Sequence, residues 1–169
     1  MNCELREWRE SDACDLAAQL NNPHVQNNLR DGLPYPYTDK DAKEYITAMR
    51  SRDRHRLFAY AVVLDDRVIG SISIARCENV HFRTAELGYY IGESYWGRGF
   101  ATCAVRQMCS RMFAQTDLLR IFAEPYAYNT ASCRVLEKAG FSLEGVLRRN
   151  AVKNGRILDM KLYARLRDE

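Results

Sequence analysis

Residues 86–102 read Glu86-Leu87-Gly88-Tyr89-Tyr90-Ile91-Gly92-Glu93-Ser94-Tyr95-Trp96-Gly97-Arg98-Gly99-Phe100-Ala101-Thr102. This is a strand, then a loop with two close glycines, then the start of a strong helix. The first amides of a helix have no partner within it, and the helix dipole makes that end positive, so the junction is an anion site. Gly97 and Gly99 let a diphosphate approach the main chain, and Arg98 adds a charged donor. The same glycines equally suit a plain strand-to-helix turn, and geometry alone leaves both readings open. Two familiar phosphate loops are excluded. There is no G-x-x-x-x-G-K-[ST], and a G-x-G-x-x-G dinucleotide fingerprint needs glycine where this chain has Thr102.

The elements that must position this loop follow from periodicity. Residues 3–9 alternate and predict a first strand; Ser11-Asp12 offers an N-cap before Ala13, Leu16, Ala17 and Leu20 at helical spacing. Residues 21–37, rich in proline and asparagine, predict a loop with one short helix. Thr38-Asp39-Lys40-Asp41 opens a helix through Ile46 and Met49, and two β-rich runs, 57–64 and 67–75, meet at an Asp65-Asp66 hairpin turn. A strand is expected at 83–92, and a helix follows whose stripe is Ala101, Ala104, Val105, Met108, Cys109, Met112 and Phe113. Next come a strand at 118–124, a helix capped by Asn129 that stops at Gly140, and two strands near 141–149 and 157–166. A strand–helix–strand crossover over 83–124 demands one parallel pair among otherwise antiparallel strands. The fold class is α+β: a mostly antiparallel mixed sheet, in a single domain over 1–169.

Composition narrows the function. Apolar residues make up 47% and charged residues 28%, an ordinary globular balance. The net charge of +3, 25 basic against 22 acidic groups without long runs, argues against nucleic acid or a membrane surface as partner. No apolar stretch approaches the roughly 20 residues of a membrane span, and the polar start lacks a signal-peptide layout, so a cytoplasmic protein is expected. Six cysteines without a C-x-x-C pair, and three scattered histidines, predict no metal site.

The chain resembles the GNAT superfamily of acetyl-CoA-dependent N-acetyltransferases, in its ribosomal-protein-alanine-acetyltransferase-like (RimJ/RimL-type) branch. The resemblance rests on Pro34-Tyr35-Pro36-Tyr37-Thr38, Ala85-Glu86-Leu87-Gly88-Tyr89, Tyr95 to Thr102, Asn129-Thr130-Ala131-Ser132, Leu136 to Phe141 and Glu144-Gly145-Val146-Leu147-Arg148, in that order. It implies a sheet splayed between strands 83–92 and 118–124, helices on both faces, and acetyl-CoA as co-substrate in the gap. The family's Q/R-x-x-G-x-G/A signature falls on Trp96 to Ala101, with Trp96 departing from Gln/Arg at the first position. The diphosphate would take main-chain contacts from Trp96, Gly97, Arg98, Gly99, Phe100, Ala101 and Thr102. Tyr90 and Ile91 would bond the pantetheine amides as one strand bonds another, with Asn129 on the opposite wall.

Acetyl transfer to an amine has three demands. The amine, with an aqueous pKa of about 10 for a lysine-like group, must lose a proton. The developing oxyanion needs a donor, here a main-chain N–H near Tyr90 or Ile91. The departing thiolate must be stabilised or protonated. Glu86 is the candidate base, or a carboxylate that positions the amine, pointing to the cleft with Gly88 and Tyr90 by the period of two; the alternative is a structural pair with Arg120 or Arg83. Many relatives carry a tyrosine acid in the helix after Asn129, where this chain has Leu136, so the resemblance passes the role to Ser132, with Tyr126 and Tyr128 behind it. Asn129 and Ser132 also fit simple helix capping.

The acceptor, a small-molecule amine or a protein N-terminus, would be set by the loop 26–37 and by the hairpin containing Arg148, Arg149 and Lys153, with Asp31 and Glu86 attracting a cation and Tyr35 and Tyr37 as walls. Relatives are often homodimers. Loss of the usual tyrosine keeps a second function in play, a catalytically silent acyl-CoA-binding regulatory module.

Overall fold

A computed structural model describes residues 2–168. Strand β1 (Glu4–Arg6) is followed by helices α1 (Ala13–Leu20), α2 (Pro23–Gln26) and α3 (Asp39–Ser51). Strands β2 (Leu57–Leu64), β3 (Arg67–Arg76) and β4 (Thr84–Ile91) come next, and α4 (Phe100–Gln115) carries the chain to β5 (Arg120–Ala123). Helix α5 (Thr130–Lys138) and the hairpin β6 (Ser142–Lys153) and β7 (Arg156–Leu166) complete it. The sheet order is β1-β2-β3-β4-β5-β7-β6, and every neighbouring pair is antiparallel except β4 and β5.

Both faces of the sheet are covered, because alternate residues of its middle strands are apolar on each side. Val62, Ile72, Ile74 and Leu87 pack with Val105, Met108 and Met112 of α4 and Leu136 of α5. Their neighbours Ala61, Val63 and Val68 pack on the opposite face with Leu16 of α1 and Ile46 of α3. Each fully buried Val, Leu, Ile or Met contributes about 1.5–3 kcal/mol. The Asp65-Asp66 turn has both φ positive, 48° and 62°, the backbone a two-residue hairpin needs. No helix among the described residues is long and apolar enough to cross a membrane.

Several boundaries differ from expectation. β1 stops at Arg6, because Trp8 leaves the strand to join the α1–α3 core. Asp12 does not cap α1 with its side chain; its carboxylate instead takes two 2.8 Å bonds from Arg6 and one from the Arg9 amide. β6 runs on to Lys153 through an irregularity between Leu147 and Ala151, where Arg149 adopts φ 52° and its N–H donates to Asp159 Oδ1 at 2.7 Å.

The decisive feature is where β4 and β5 part. They pair only from Thr84–Arg120 to Glu86–Phe122. Beyond Ala123 the chain leans on β7: Pro125 accepts from the Lys161 amide at 3.0 Å, and the Ala127 amide donates to Asp159 at 2.8 Å. Leu87 to Ile91 therefore run on without a partner on the β5 side, and the sheet opens into a wedge.

Candidate active site

The wedge is a cavity of about 630 Å³ between the end of β4, the segment after β5, the start of α4, α5 and the loop after α2. Strand alternation decides which main-chain groups face it. The Gly92 amide donates to Ile69 at 2.8 Å and the Cys77 amide to Thr84 at 2.9 Å, both across to β3. In an uninterrupted antiparallel register, Gly88 and Tyr90 therefore also bond β3, while Tyr89 and Ile91 turn their N–H and C=O groups into the gap. This corrects the expectation for Tyr90: its main chain is engaged with Ser71, and its side chain packs into the α1–α3 core. There the phenol is buried without a hydrogen-bond partner, and burial pushes it well above its ordinary pKa. Ile91 turns its main chain into the gap.

At the mouth of the gap the chain turns through Gly97 (φ 71°) and Gly99 (φ 82°) into α4. Among the described residues, the amides of Gly97, Arg98, Gly99, Phe100, Ala101 and Thr102 have no hydrogen-bond acceptor; pairing resumes with Cys103 donating to Gly99 at 3.0 Å. Beyond the adjacent residues, nothing lies within 4 Å of a Cβ built on either glycine, and both glycines line the cavity. Six free donors at the positive end of a sixteen-residue helix fit a diphosphate.

Two residues of this loop depart from expectation. The Trp96 amide donates to Glu93 at 3.1 Å, and its indole N–H donates to the Ile91 carbonyl at 2.6 Å. Trp96 thus lines the cavity as a tether rather than as an amide donor. The Arg98 guanidinium lies over the rings of Tyr95 and Phe100, 5.8 and 5.1 Å from their centroids, and is not part of the wall. Only its amide remains available.

Glu86 and Ser132 both line the cavity, from opposite walls. Glu86 pairs with neither Arg120 nor Arg83. Arg120 is held by Glu144, and the partner of Glu86 is Arg30, from the loop after α2, which also reaches Glu124 at 3.6 Å. Asn129 caps α5, its Oδ1 accepting from the Ser132 amide at 3.1 Å, while its Nδ2 has no partner among the described residues. The Ser132 hydroxyl meets the Tyr89 hydroxyl at 2.7 Å. Tyr126 and Tyr128 stack on each other and donate to the carbonyls of Leu29 and Asn27, so they anchor the loop that carries Arg30.

The acceptor residues expected from the loop 26–37 are not brought to the cavity. Tyr37 is 4% exposed in the α1–α3 core, where apolar contacts outweigh access. Tyr35 is 62% exposed and lies outside the cavity wall, and Asp31 is paired with Lys153 at 2.7 Å. The same loop instead presents Asn28, Leu29 and Arg30. Sequence reasoning missed Arg30 and Tyr89, and no local signal marks either one.

Residues 2–142 match the acetyltransferase (GNAT) domain. The uncharacterized N-acetyltransferase p20 of Bacillus licheniformis is 30% identical over 98% of this chain and 93% of its own. The ribosomal-protein-serine acetyltransferase of Escherichia coli (strain K12) is 32% identical over 64% of this chain and 60% of its own. Mycobacterium smegmatis RimJ, solved in complex with CoA-disulfide, superposes with a TM-score of 0.85 at 27% identity, over 96% of this chain and 80% of that one.

Proposed function

This chain belongs to the GNAT acetyltransferase family and transfers an acetyl group from acetyl-CoA to an amine, and from that premise we propose the residues that carry the reaction. The observation behind the proposal is the open wedge itself, with six free amides at its mouth and the Ile91 amide turned inside. Gly97 to Thr102 hold the diphosphate of acetyl-CoA, and the gap-facing groups of Tyr89 and Ile91, with Asn129 opposite, hold its pantetheine arm. When bound, acetyl-CoA supplies an acyl group already activated as a thioester.

The Tyr89 N–H, which β4 also turns into the gap two residues farther from the diphosphate loop, donates to the carbonyl oxygen as negative charge grows there, while the Ile91 N–H stays with the pantetheine arm. Glu86 takes the proton from the acceptor nitrogen, directly or through a water. Ser132 gives a hydrogen bond to the departing sulfur. The acceptor enters beside α2 as a cationic amine and displaces Arg30, whose guanidinium already occupies a cation's place between Glu86 and Glu124. The class is a primary amine, on a protein N-terminus or a small molecule. The reading extends to a single domain over residues 1–169 in the cytoplasm, supported by six unpaired cysteines. It includes a homodimer, supported by Leu143, Val146 and Ile157 standing 50–64% exposed on the β6–β7 hairpin.

The test is a panel of acceptors, peptides with free N-terminal serine or alanine and the polyamine spermidine, followed by free-thiol release from acetyl-CoA. Release that depends on one of these amines supports the reading; cofactor binding without release on any of them overturns it in favour of the silent module.

A further inference from the structure

Tyr89 of β4 reaches across the wedge to α5. Its ring packs against the core of the α4–α5 face, and its hydroxyl crosses to α5, 2.7 Å from Ser132 Oγ and 3.3 Å from the Ser132 carbonyl oxygen. Both side chains line the cavity. Burial raises the Tyr89 phenol above its ordinary pKa, so it stays neutral and keeps its proton. The Ser132 backbone is fixed independently, by the bond from its amide to Asn129 Oδ1.

Two hydroxyls at this distance share one strong hydrogen bond, and its direction determines where the other proton points. A phenol is a stronger acid than an alkyl hydroxyl and therefore the better donor. Its alternative acceptor, the Ser132 carbonyl, is the longer contact by the distances above. With Tyr89 donating to Ser132 Oγ, the serine proton is free to turn away from the tyrosine and into the gap.

We propose that Tyr89 is a positioning residue for acetyl transfer: its O–H donates to Ser132 Oγ and aims the serine proton at the sulfur leaving from the opposite side of the wedge. The inference rests on the reading of Ser132 given above. The acceptor nitrogen bonds to the acetyl carbon as the carbon–sulfur bond breaks, and that electron pair passes to sulfur. The cationic amine sheds two protons in turn, one before nitrogen attacks and one as the amide forms, and each goes to Glu86, which passes the first to solvent before it takes the second. Sulfur leaves under the hydrogen bond from Ser132 and takes a proton from water, and Glu86 returns its proton to solvent. Tyr89 loses no proton at any stage. A fixed donor is worth more than a rotating one because no reorientation is needed as charge appears.

The experiment compares Tyr89→Phe, Ser132→Ala and the double variant, assayed with whichever amine of the panel above releases most thiol. Tyr89→Phe keeps the ring and its packing; thermal unfolding and acetyl-CoA titration verify the fold and the cofactor site. The expected result is kcat lower by about 3- to 10-fold, the worth of one hydrogen bond, with the KM for acetyl-CoA within about twofold. In the double variant, the loss is close to that of Ser132→Ala alone, because the tyrosine acts through the serine. Wild-type kcat in Tyr89→Phe beside an impaired Ser132→Ala overturns the role of Tyr89 only, as do multiplicative losses in the double variant. A silent Ser132→Ala overturns the reading of Ser132, and the role of Tyr89 with it.

Discussion

The indole N–H of Trp96 donates to the carbonyl oxygen of Ile91 at 2.6 Å, so one side chain ties the glycine loop ahead of α4 to the open end of β4. The Ile91 carbonyl faces a gap where no neighbouring strand meets it, and the indole supplies the bond that a strand would have made. Trp96→Phe leaves that carbonyl unpaired and frees the loop. The KM for acetyl-CoA is expected to rise about 3- to 10-fold, with a smaller change in kcat. Steady-state kinetics with acetyl-CoA varied checks this; an unchanged KM removes the tether from the binding site.

Gly99 sits at φ 82° with open space where a Cβ would project. Gly99→Ala therefore meets backbone strain and no clash, a cost of about 1–2 kcal/mol. For a protein of this length that lowers the Tm by about 2–8 °C. Gly99→Glu adds a carboxylate beside the six free amides and should weaken acetyl-CoA binding at least tenfold beyond the alanine variant, less so at high salt. Calorimetric titration of both variants separates strain from charge.

Glu86 and Arg30 make opposite predictions at one bond. Glu86→Gln keeps the shape but cannot take a proton, so kcat at neutral pH should fall by roughly 100-fold or more while acetyl-CoA affinity holds. Arg30→Gln removes the cation lying between Glu86 and Glu124, and the KM for a cationic amine should fall several-fold, with steeper salt dependence. A raised KM in Arg30→Gln would mean that Arg30 contacts the acceptor itself. A pH–rate profile unaltered by Glu86→Gln would leave Glu86 as the partner of Arg30 alone.

Stability has its own pH signature at Asp12. Burial raises its pKa, but the paired bonds from Arg6 and the Arg9 amide outweigh that and hold the carboxyl below its usual value. A group whose folded pKa is depressed stabilises the fold above the unfolded value, about 3.9, and that contribution is lost as pH falls through the folded value. Both partners are nearly inaccessible, with side chains 10% and 5% exposed, so Asp12→Asn should cost about 3 kcal/mol at pH 7. Urea unfolding of wild type and variant should show the gap narrowing below about pH 4.

What the chain alone settled is what local chemistry decides. Thr38 and Asn129 are helix caps wherever they stand at a helix start, Gly99 and Gly140 mark positive φ, and the amides ahead of α4 lack partners because of where that helix begins. The run of free amides and its place between β4 and α4 followed from these short-range rules. The period of two placed Glu86 in the cleft, though it could not tell which main-chain groups of Tyr90 and Ile91 face the gap. That choice depends on the phase of the β3–β4 ladder, a property of two strands. The remainder was decided at longer range. Arg30 meets Glu86 across 56 positions, and Tyr89 meets Ser132 across 43. Tyr37 is buried while Tyr35 is exposed, although the two are neighbours in one loop. Such contacts are decided by how helices settle on each face of a sheet that opens between β4 and β5. Packing and the pairing of buried charge act between surfaces that the linear chain does not bring together until it has folded.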